Sequence, residues 1–303
     1  MDFVAMLRAE KAAARDALAA ASNAKANYSA SETIKTGVPS SESDERGSVG
    51  WGAQDVKTLS EEEMSAAIVA PGVLYFAQVV PQRAAERLAK EIEERPFVQL
   101  AGRKLQNYGG VPYLTGTICE PLPPFLDELA DLLYRMGLFP DSKPEQALVN
   151  KYEAGQGIAA HHDGPNFAPK AAILTLKSAV VMHFCKPLAG SSSGNSVTDQ
   201  DSVFKVALEP RSLLVFQGAA FTALQHTILP VQSESLHGVA NWDKLSQVAR
   251  EAAMIQRNER LSITMRCVAN VRCRVDPQRE FVSKEMREEM DRRLKWWQQA
   301  ISQ

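Results

Sequence analysis

The sequence predicts a mainly β fold with flanking helices, an α+β arrangement whose core is a double-stranded β-helix, or jelly roll. Three observations predict it. After Leu148 short strand-like runs follow in quick succession, at 148 to 153, 157 to 163, 171 to 177, 179 to 185, 203 to 208, 212 to 217, 223 to 229 and 261 to 268. Runs of this length separated by turns close into the two packed sheets of a jelly roll. Ahead of them stand two amphipathic helical segments. The last run, Arg260-Leu261-Ser262-Ile263-Thr264-Met265-Arg266, alternates strictly, so a strand here would carry one polar and one apolar face.

In chain order, residues 1–26 are rich in Ala, with Phe3, Leu7 and Leu18 among Arg8, Glu10, Lys11, Arg15 and Asp16. They predict a helix of good propensity and modest apolar face. Acidic Asp2, Glu10 and Asp16 argue against a mitochondrial presequence, which is poor in acids. Residues 27–58 are rich in Ser, Thr, Gly and Glu with few large apolar side chains, so they predict a disordered linker.

The folded domain is expected over 70–275. Val73-Leu74-Tyr75-Phe76 and Val79-Val80 read as buried strand. Pro81 opens a helix over 82–95 with Ala84, Leu88 and Ile92 on its apolar face, and Pro96 ends it. A second helix runs from Phe125 to Met136 and closes on Gly137, with Leu126, Leu129, Leu132 and Leu133 buried. Two insertions interrupt the strand series: a Ser-rich loop, Ser191 to Asp201, and Val231 to Glu259, which holds a helical segment around Leu245 to Ile255. At the C-terminus, Met286, Met290, Leu294, Trp297 and Ile301 fall at helical spacing. They predict a helix over 277–303 that packs on the chain's own core, docks a partner, or stays solvated.

Composition bounds the function. A 45% hydrophobic content supports a sizeable core, and a net charge of −2 gives no bulk pull toward nucleic acid, so any such binding is local. Cys119, Cys185, Cys267 and Cys273 form no CxxC pair, which argues against disulfide stapling and structural zinc and for a reducing compartment. No run approaches the length of a membrane helix and no signal-peptide core is present, so a soluble intracellular protein is expected, in cytoplasm and nucleus.

The chemistry centres on His161-His162-Asp163. On a strand, residues two apart share a face, so His161 and Asp163 would project together while His162 turns away. With one distant His they would complete a 2-His-1-carboxylate triad, which leaves positions on non-haem Fe(II) open for substrate and oxygen. The remaining His are 183, 226 and 237. His226, after the strand-like Ser212 to Phe216, is the best third ligand. His183 reads as a hydrogen-bonded core residue and His237 as exposed. On the alternating run, Arg260 and Arg266 share a face with Ser262 and Thr264; two guanidiniums aimed into a fold call for an anion, and a dicarboxylic acid would satisfy both.

With Asn150 and Tyr152 ahead of them, these motifs resemble the AlkB family of Fe(II)- and 2-oxoglutarate-dependent dioxygenases. The family order is Asn-x-Tyr, His-x-Asp, a distal His, then Arg-x-Asn-x-Thr-x-Arg; Ser262 stands here for the commoner Asn. The resemblance spans about residues 70 to 275 and extends to Gly102-Arg103-Lys104-Leu105-Gln106-Asn107-Tyr108-Gly109-Gly110 and Leu208-Glu209-Pro210-Arg211-Ser212-Leu213-Leu214-Val215. It implies that His161, Asp163 and His226 bind Fe(II). It implies equally that 2-oxoglutarate chelates the iron while Arg260, with Asn150, Tyr152 and Ser262, holds its distal end and Arg266 supports the other carboxylate. The same resemblance implies that oxygen would complete the site, that decarboxylation of 2-oxoglutarate would give succinate, and that a hydroxylated N-methyl group would collapse to formaldehyde.

The Gly102–Gly110 stretch corresponds in that family to a nucleotide-covering lid. There Arg103 and Lys104 would meet phosphate, Gln106 and Asn107 would read a base edge, and Tyr108 would stack. A polar hairpin that only caps the barrel fits the same residues. Three functions follow: an N-demethylase of single-stranded nucleic acid, a dioxygenase acting on protein side chains, and a non-catalytic scaffold recruiting protein partners through its terminal helices. A monomer is expected.

Overall fold

A computed structural model of the chain describes residues 58–100, 102–113, 116–187 and 198–274. The helices expected over 1–26 and 277–303, all of the 27–58 linker but Thr58, and the Cys273 side chain lie outside the described residues.

The described chain enters through α1 (Glu61–Ala67), which a reciprocal cap starts: Ser60 Oγ accepts from the Glu63 N–H and Glu63 Oε2 accepts from the Ser60 N–H. β1 (Ile68–Ala70) and β2 (Val73–Phe76) follow. Val79 and Val80 do not extend that strand; they lie in the turn before α2 (Gln82–Glu93), where Val80 is fully buried under the helices. β3 (Val98–Gln99), β4 (Lys104–Tyr108), β5 (Gly110–Tyr113) and β6 (Gly116–Cys119) lead to α3 (Pro124–Arg135). Both helices bury the apolar stripe expected of them, Ala84, Leu88 and Ile92 on one and Leu126, Leu129 and Leu133 on the other.

The jelly-roll series then runs β7 (Gln146–Tyr152), β8 (Ile158–His161), β9 (Phe167–Lys177), β10 (Val180–Cys185), β11 (Ser202–Leu208), β12 (Leu213–Gln217), a single turn α4 (Ala219–Thr222) and β13 (Gln225–Ile228). The inserted segment holds β14 (Ser233–Ser235), α5 (Gln247–Ala252) and β15 (Met254–Gln256). Its helix is shorter than the sequence suggests. Ala253 turns left-handed, with φ 53°, and Met254–Gln256 instead pairs antiparallel with Ser233–Ser235. β16 (Arg260–Val268) and β17 (Val271–Arg274) close the described chain. Among the described residues no helix is long and apolar enough to cross a membrane.

Two sheets make the barrel. The larger has the order β1-β2-β12-β9-β16-β7-β4-β3 and the smaller β11-β10-β13-β8. Between them Tyr152, Ile173, Met182, Phe184, Leu208 and Phe216 form one core. On the outer face of the larger sheet Val149, Leu174, Leu261, Ile263 and Met265 pack against α2 and α3 to form the second. The alternation of β16 is thereby explained: its apolar side chains meet the helices, at about 1.5–3 kcal/mol per large buried side chain, and its polar ones face the space between the sheets.

Candidate active site

His161 and His226 face each other across the β8–β13 ladder, paired in register, with ring centroids 4.2 Å apart. β8 ends at His161, so Asp163 stands on the loop beyond the strand and strand alternation does not hold it there. Arg266 does: its Nε lies 3.1 Å from Asp163 Oδ2, a charge contact between two nearly buried side chains whose N–H is not aligned for a hydrogen bond. The ligand atoms of His161, Asp163 and His226 all fall within 4.8 Å of one another, the only such group among the described residues. Burial, reinforced by His161, depresses the pKa of His226 to about 3, and burial lowers that of His161. Both imidazoles are therefore neutral near pH 7, the form that offers a lone pair to a metal. His161 Nδ1 lies 2.9 Å from the Ala159 carbonyl, which leaves Nε2 as the ligand atom.

Arg260 begins β16 and is 1% exposed. Its Nη1 donates to Ser262 Oγ at 3.1 Å and its Nη2 to Thr175 Oγ1 at 3.0 Å, while Nε has no partner among the described residues. Tyr152 lies beneath it, with the guanidinium 5.6 Å from the ring centroid. No carboxylate pairs with it among the described residues, and burial pulls its pKa down to about 10. A buried cation with hydroxyl neighbours and an idle N–H fits an incoming carboxylate, since an unpaired buried charge is otherwise costly. Asn150 and Ser262 are cross-strand partners on the same face. The three-ligand group and this orphaned arginine are the donor set that Fe(II) and 2-oxoglutarate require.

The Gly102–Gly110 stretch divides between two faces. Gln106 is buried on the helix side, where Nε2 donates to the carbonyls of Ile92 at 2.8 Å and Arg95 at 3.0 Å, and Oε1 accepts from Tyr108 at 3.0 Å. Tyr108 packs edge-on to Phe125, at 6.0 Å. Base reading by Gln106 and base stacking by Tyr108 are thus corrected, because both groups are spent closing the end of α2. Lys104 shares that face and approaches Glu153 at 4.0 Å. Arg103 and Asn107 project the other way. Arg103 Nε donates to Asn150 Oδ1 at 2.9 Å. Asn107 Oδ1 accepts from Gln146 Nε2 at 2.9 Å, and Gln146 Oε1 accepts from Arg266 at 3.4 Å, so a polar chain links β4 to Asp163. The turn after Tyr108 needs glycine: Gly109 has φ +83°, and a Cβ there would meet the Glu145 carbonyl oxygen at 2.0 Å.

We expect Gln106→Leu to destabilise the fold by about 1–3 kcal/mol, the cost of orphaning buried carbonyls, and to leave nucleic-acid affinity unchanged. Denaturant melts beside a binding titration check both halves; reduced affinity at full stability would restore the base-reading role.

Thr175 and Gln146 were not foreseen from sequence. Each meets its arginine across a strand ladder, a neighbour relation that no local pattern carries. His183 is buried, with Nδ1 2.9 Å from Ser202 Oγ, on the outward side of β10.

Several known proteins are similar to this chain. Among curated proteins, "Probable RNA/DNA demethylase ALKBH6" of Danio rerio is 29% identical over 206 residues, covering 66% of this chain and 87% of that protein. The mouse "tRNA (carboxymethyluridine(34)-5-O)-methyltransferase ALKBH8" is 26% identical over 234 residues, covering 72% of this chain and 33% of that protein. A solved structure of OsALKBH1 is similar at 16% identity with a TM-score of 0.44, covering 65% of this chain and 98% of that one. The sequence profile of the 2OG-Fe(II) oxygenase superfamily matches residues 100–266, more than half of the chain and the whole span from β4 to Arg266. The chain therefore belongs to the 2OG-Fe(II) oxygenase superfamily, as a 2-oxoglutarate-dependent dioxygenase similar to AlkB homologues.

Proposed function

We propose that this dioxygenase oxidatively removes alkyl groups from base nitrogens of single-stranded nucleic acid. The observation that carries the reading is Arg103, a half-buried cation just ahead of β4 that bonds Asn150, one of the residues proposed to receive the cosubstrate. The likeness to a relative named as an RNA/DNA demethylase, over most of that relative's length, supports it. Iron and 2-oxoglutarate, when bound, supply the oxidising power for C–H hydroxylation. The chain's own residues do the rest. His161, Asp163 and His226 hold the metal, Arg266 orients Asp163, and Arg260 with Ser262, Thr175, Asn150 and Tyr152 receives the distal carboxylate. A single strand presents its bases without the unpairing cost of a duplex, and Arg103 supplies local charge that the net charge of −2 does not.

Mass spectrometry of a panel of N-alkylated oligonucleotides, after incubation with the iron-loaded enzyme, tests the reading through loss of the alkyl mass and release of formaldehyde. A panel left unmodified, with methylated peptides oxidised in its place, moves the substrate to protein. Arg103→Ala should weaken single-strand binding and flatten its salt dependence, by about 0.7 in log–log slope for each phosphate the variant no longer neutralises. Lys104→Ala, on the opposite face, should change neither. Equal slopes for Arg103→Ala and wild type would remove Arg103 from the nucleic-acid path.

A further inference from the structure

Arg257 lies three residues before Arg260, at the exit of the inserted segment, and its side chain is 0% exposed. One guanidinium joins three parts of the fold. Nη2 donates to the Gln156 carbonyl at 2.9 Å, and Nη1 to the Leu229 carbonyl at 3.2 Å and to Glu234 Oε2 at 3.3 Å. Gln156 precedes β8, the strand of His161, and Leu229 follows β13, the strand of His226. Glu234, in the middle of β14, is fixed in turn: its Oε2 accepts the Val181 N–H of β10 at 3.0 Å. The segments it ties are in backbone contact, since a Cβ on Gly157 would meet the Ile228 carbonyl oxygen at 2.2 Å.

Stability alone is a weak reason for such a group, because the desolvation of a buried ion pair rivals its attraction. A rigid fork with fixed donor directions serves position better than energy. Here it links the ends of the two histidine-bearing strands, in the smaller sheet, to the first residue of β16, in the larger one. On the proposed reading, the metal ligands and Arg260 would hold the two ends of the cosubstrate.

We propose that Arg257, clamped by Glu234, is a positioning residue that sets the span between the metal ligands and Arg260, and with it the length of dicarboxylate the pocket accepts. This rests on the reading that Arg260 receives the distal carboxylate.

The test is anaerobic binding of 2-oxoglutarate and of its one-carbon-longer homologue 2-oxoadipate to the Fe(II)-loaded full chain, by calorimetry and by the charge-transfer absorbance of the complex. Arg257→Lys keeps the charge but cannot reach three acceptors. It should weaken 2-oxoglutarate about tenfold and narrow the preference over 2-oxoadipate by about fivefold, since a shift of an ångström in a positioning group has effects of this order or larger. Glu234→Gln keeps an acceptor for Val181 while releasing the clamp, and should move the ratio the same way by less; it decides the matter if Arg257→Lys does not fold. A wild-type ratio in both variants, with only the melting temperature lowered, overturns the proposal. Arg260→Met separates the underlying reading: wild-type 2-oxoglutarate affinity in that variant removes the distal-carboxylate assignment and this proposal together. Weak binding there beside unchanged ratios in the other two overturns the clasp alone.

Discussion

His226→Ala is expected to reduce Fe(II) affinity by more than about 100-fold and to abolish 2-oxoglutarate turnover. Loss of a supporting group around a metal ligand costs roughly 10–100-fold, and loss of the ligand itself exceeds that. His226 is buried at 6% exposure, in register opposite His161, with the Phe216 and Phe184 rings at 5.1 and 6.3 Å. The two phenyl rings are apolar and cannot donate a lone pair in its place. Iron titration followed by the 2-oxoglutarate-dependent absorbance measures the first effect, and succinate release the second. The unloaded variant should keep its fold, since the deleted ring bonds no backbone group among the described residues. Undiminished iron binding with normal succinate release would take His226 out of the triad.

Arg260→Met should weaken 2-oxoglutarate by about two to three and a half orders of magnitude. Removing one partner of a buried charge pair typically costs about 3–5 kcal/mol, and each 1.4 kcal/mol is about tenfold in affinity. The same substitution should leave the cosubstrate-free protein within about 1 kcal/mol of wild-type stability. In that state Arg260 is a buried charge with no carboxylate partner among the described residues, its bonds to Ser262 and Thr175 are side-chain bonds only, and Met fills much of its volume. Wild type should gain melting temperature on adding 2-oxoglutarate to the metal-loaded protein, as any ligand of the native state requires; Arg260→Met should lose that gain. An unchanged Michaelis constant, with Arg266→Ala carrying the whole effect, would reverse the assignment of the two arginines.

Much of this was legible in the sequence because it is written in local periodicity. A period of two in Arg260 to Arg266 is enough to separate a polar from an apolar face, and the run of short strands with apolar helices before it is enough to name a jelly roll. His161, Asp163 and His226 stand out by residue type and order, since few His are available and the chemistry of iron restricts the choice. The same alternation, applied past the end of β8, places Asp163 on the face of His161 for the wrong reason: the strand stops, and the Arg266 charge holds the carboxylate there.

What the tertiary structure alone decided is which face of each strand meets which layer, and which distant groups meet across a ladder. Gln106 looks fit to read a base edge and Tyr108 to stack on a base until the packing of α2 against β4 turns their face inward, where α2's terminal carbonyls need donors. Thr175 and Gln146 reach the arginines through β9 and β7, and Arg257 gathers Gln156, Leu229 and Glu234 from three separate segments. A hydrogen bond between residues 85 or 101 positions apart leaves no trace in local composition. Side-chain type and spacing determined the chemistry this chain can host; register and sheet packing, which depend on contacts summed over the whole barrel, determined which of its polar residues take part.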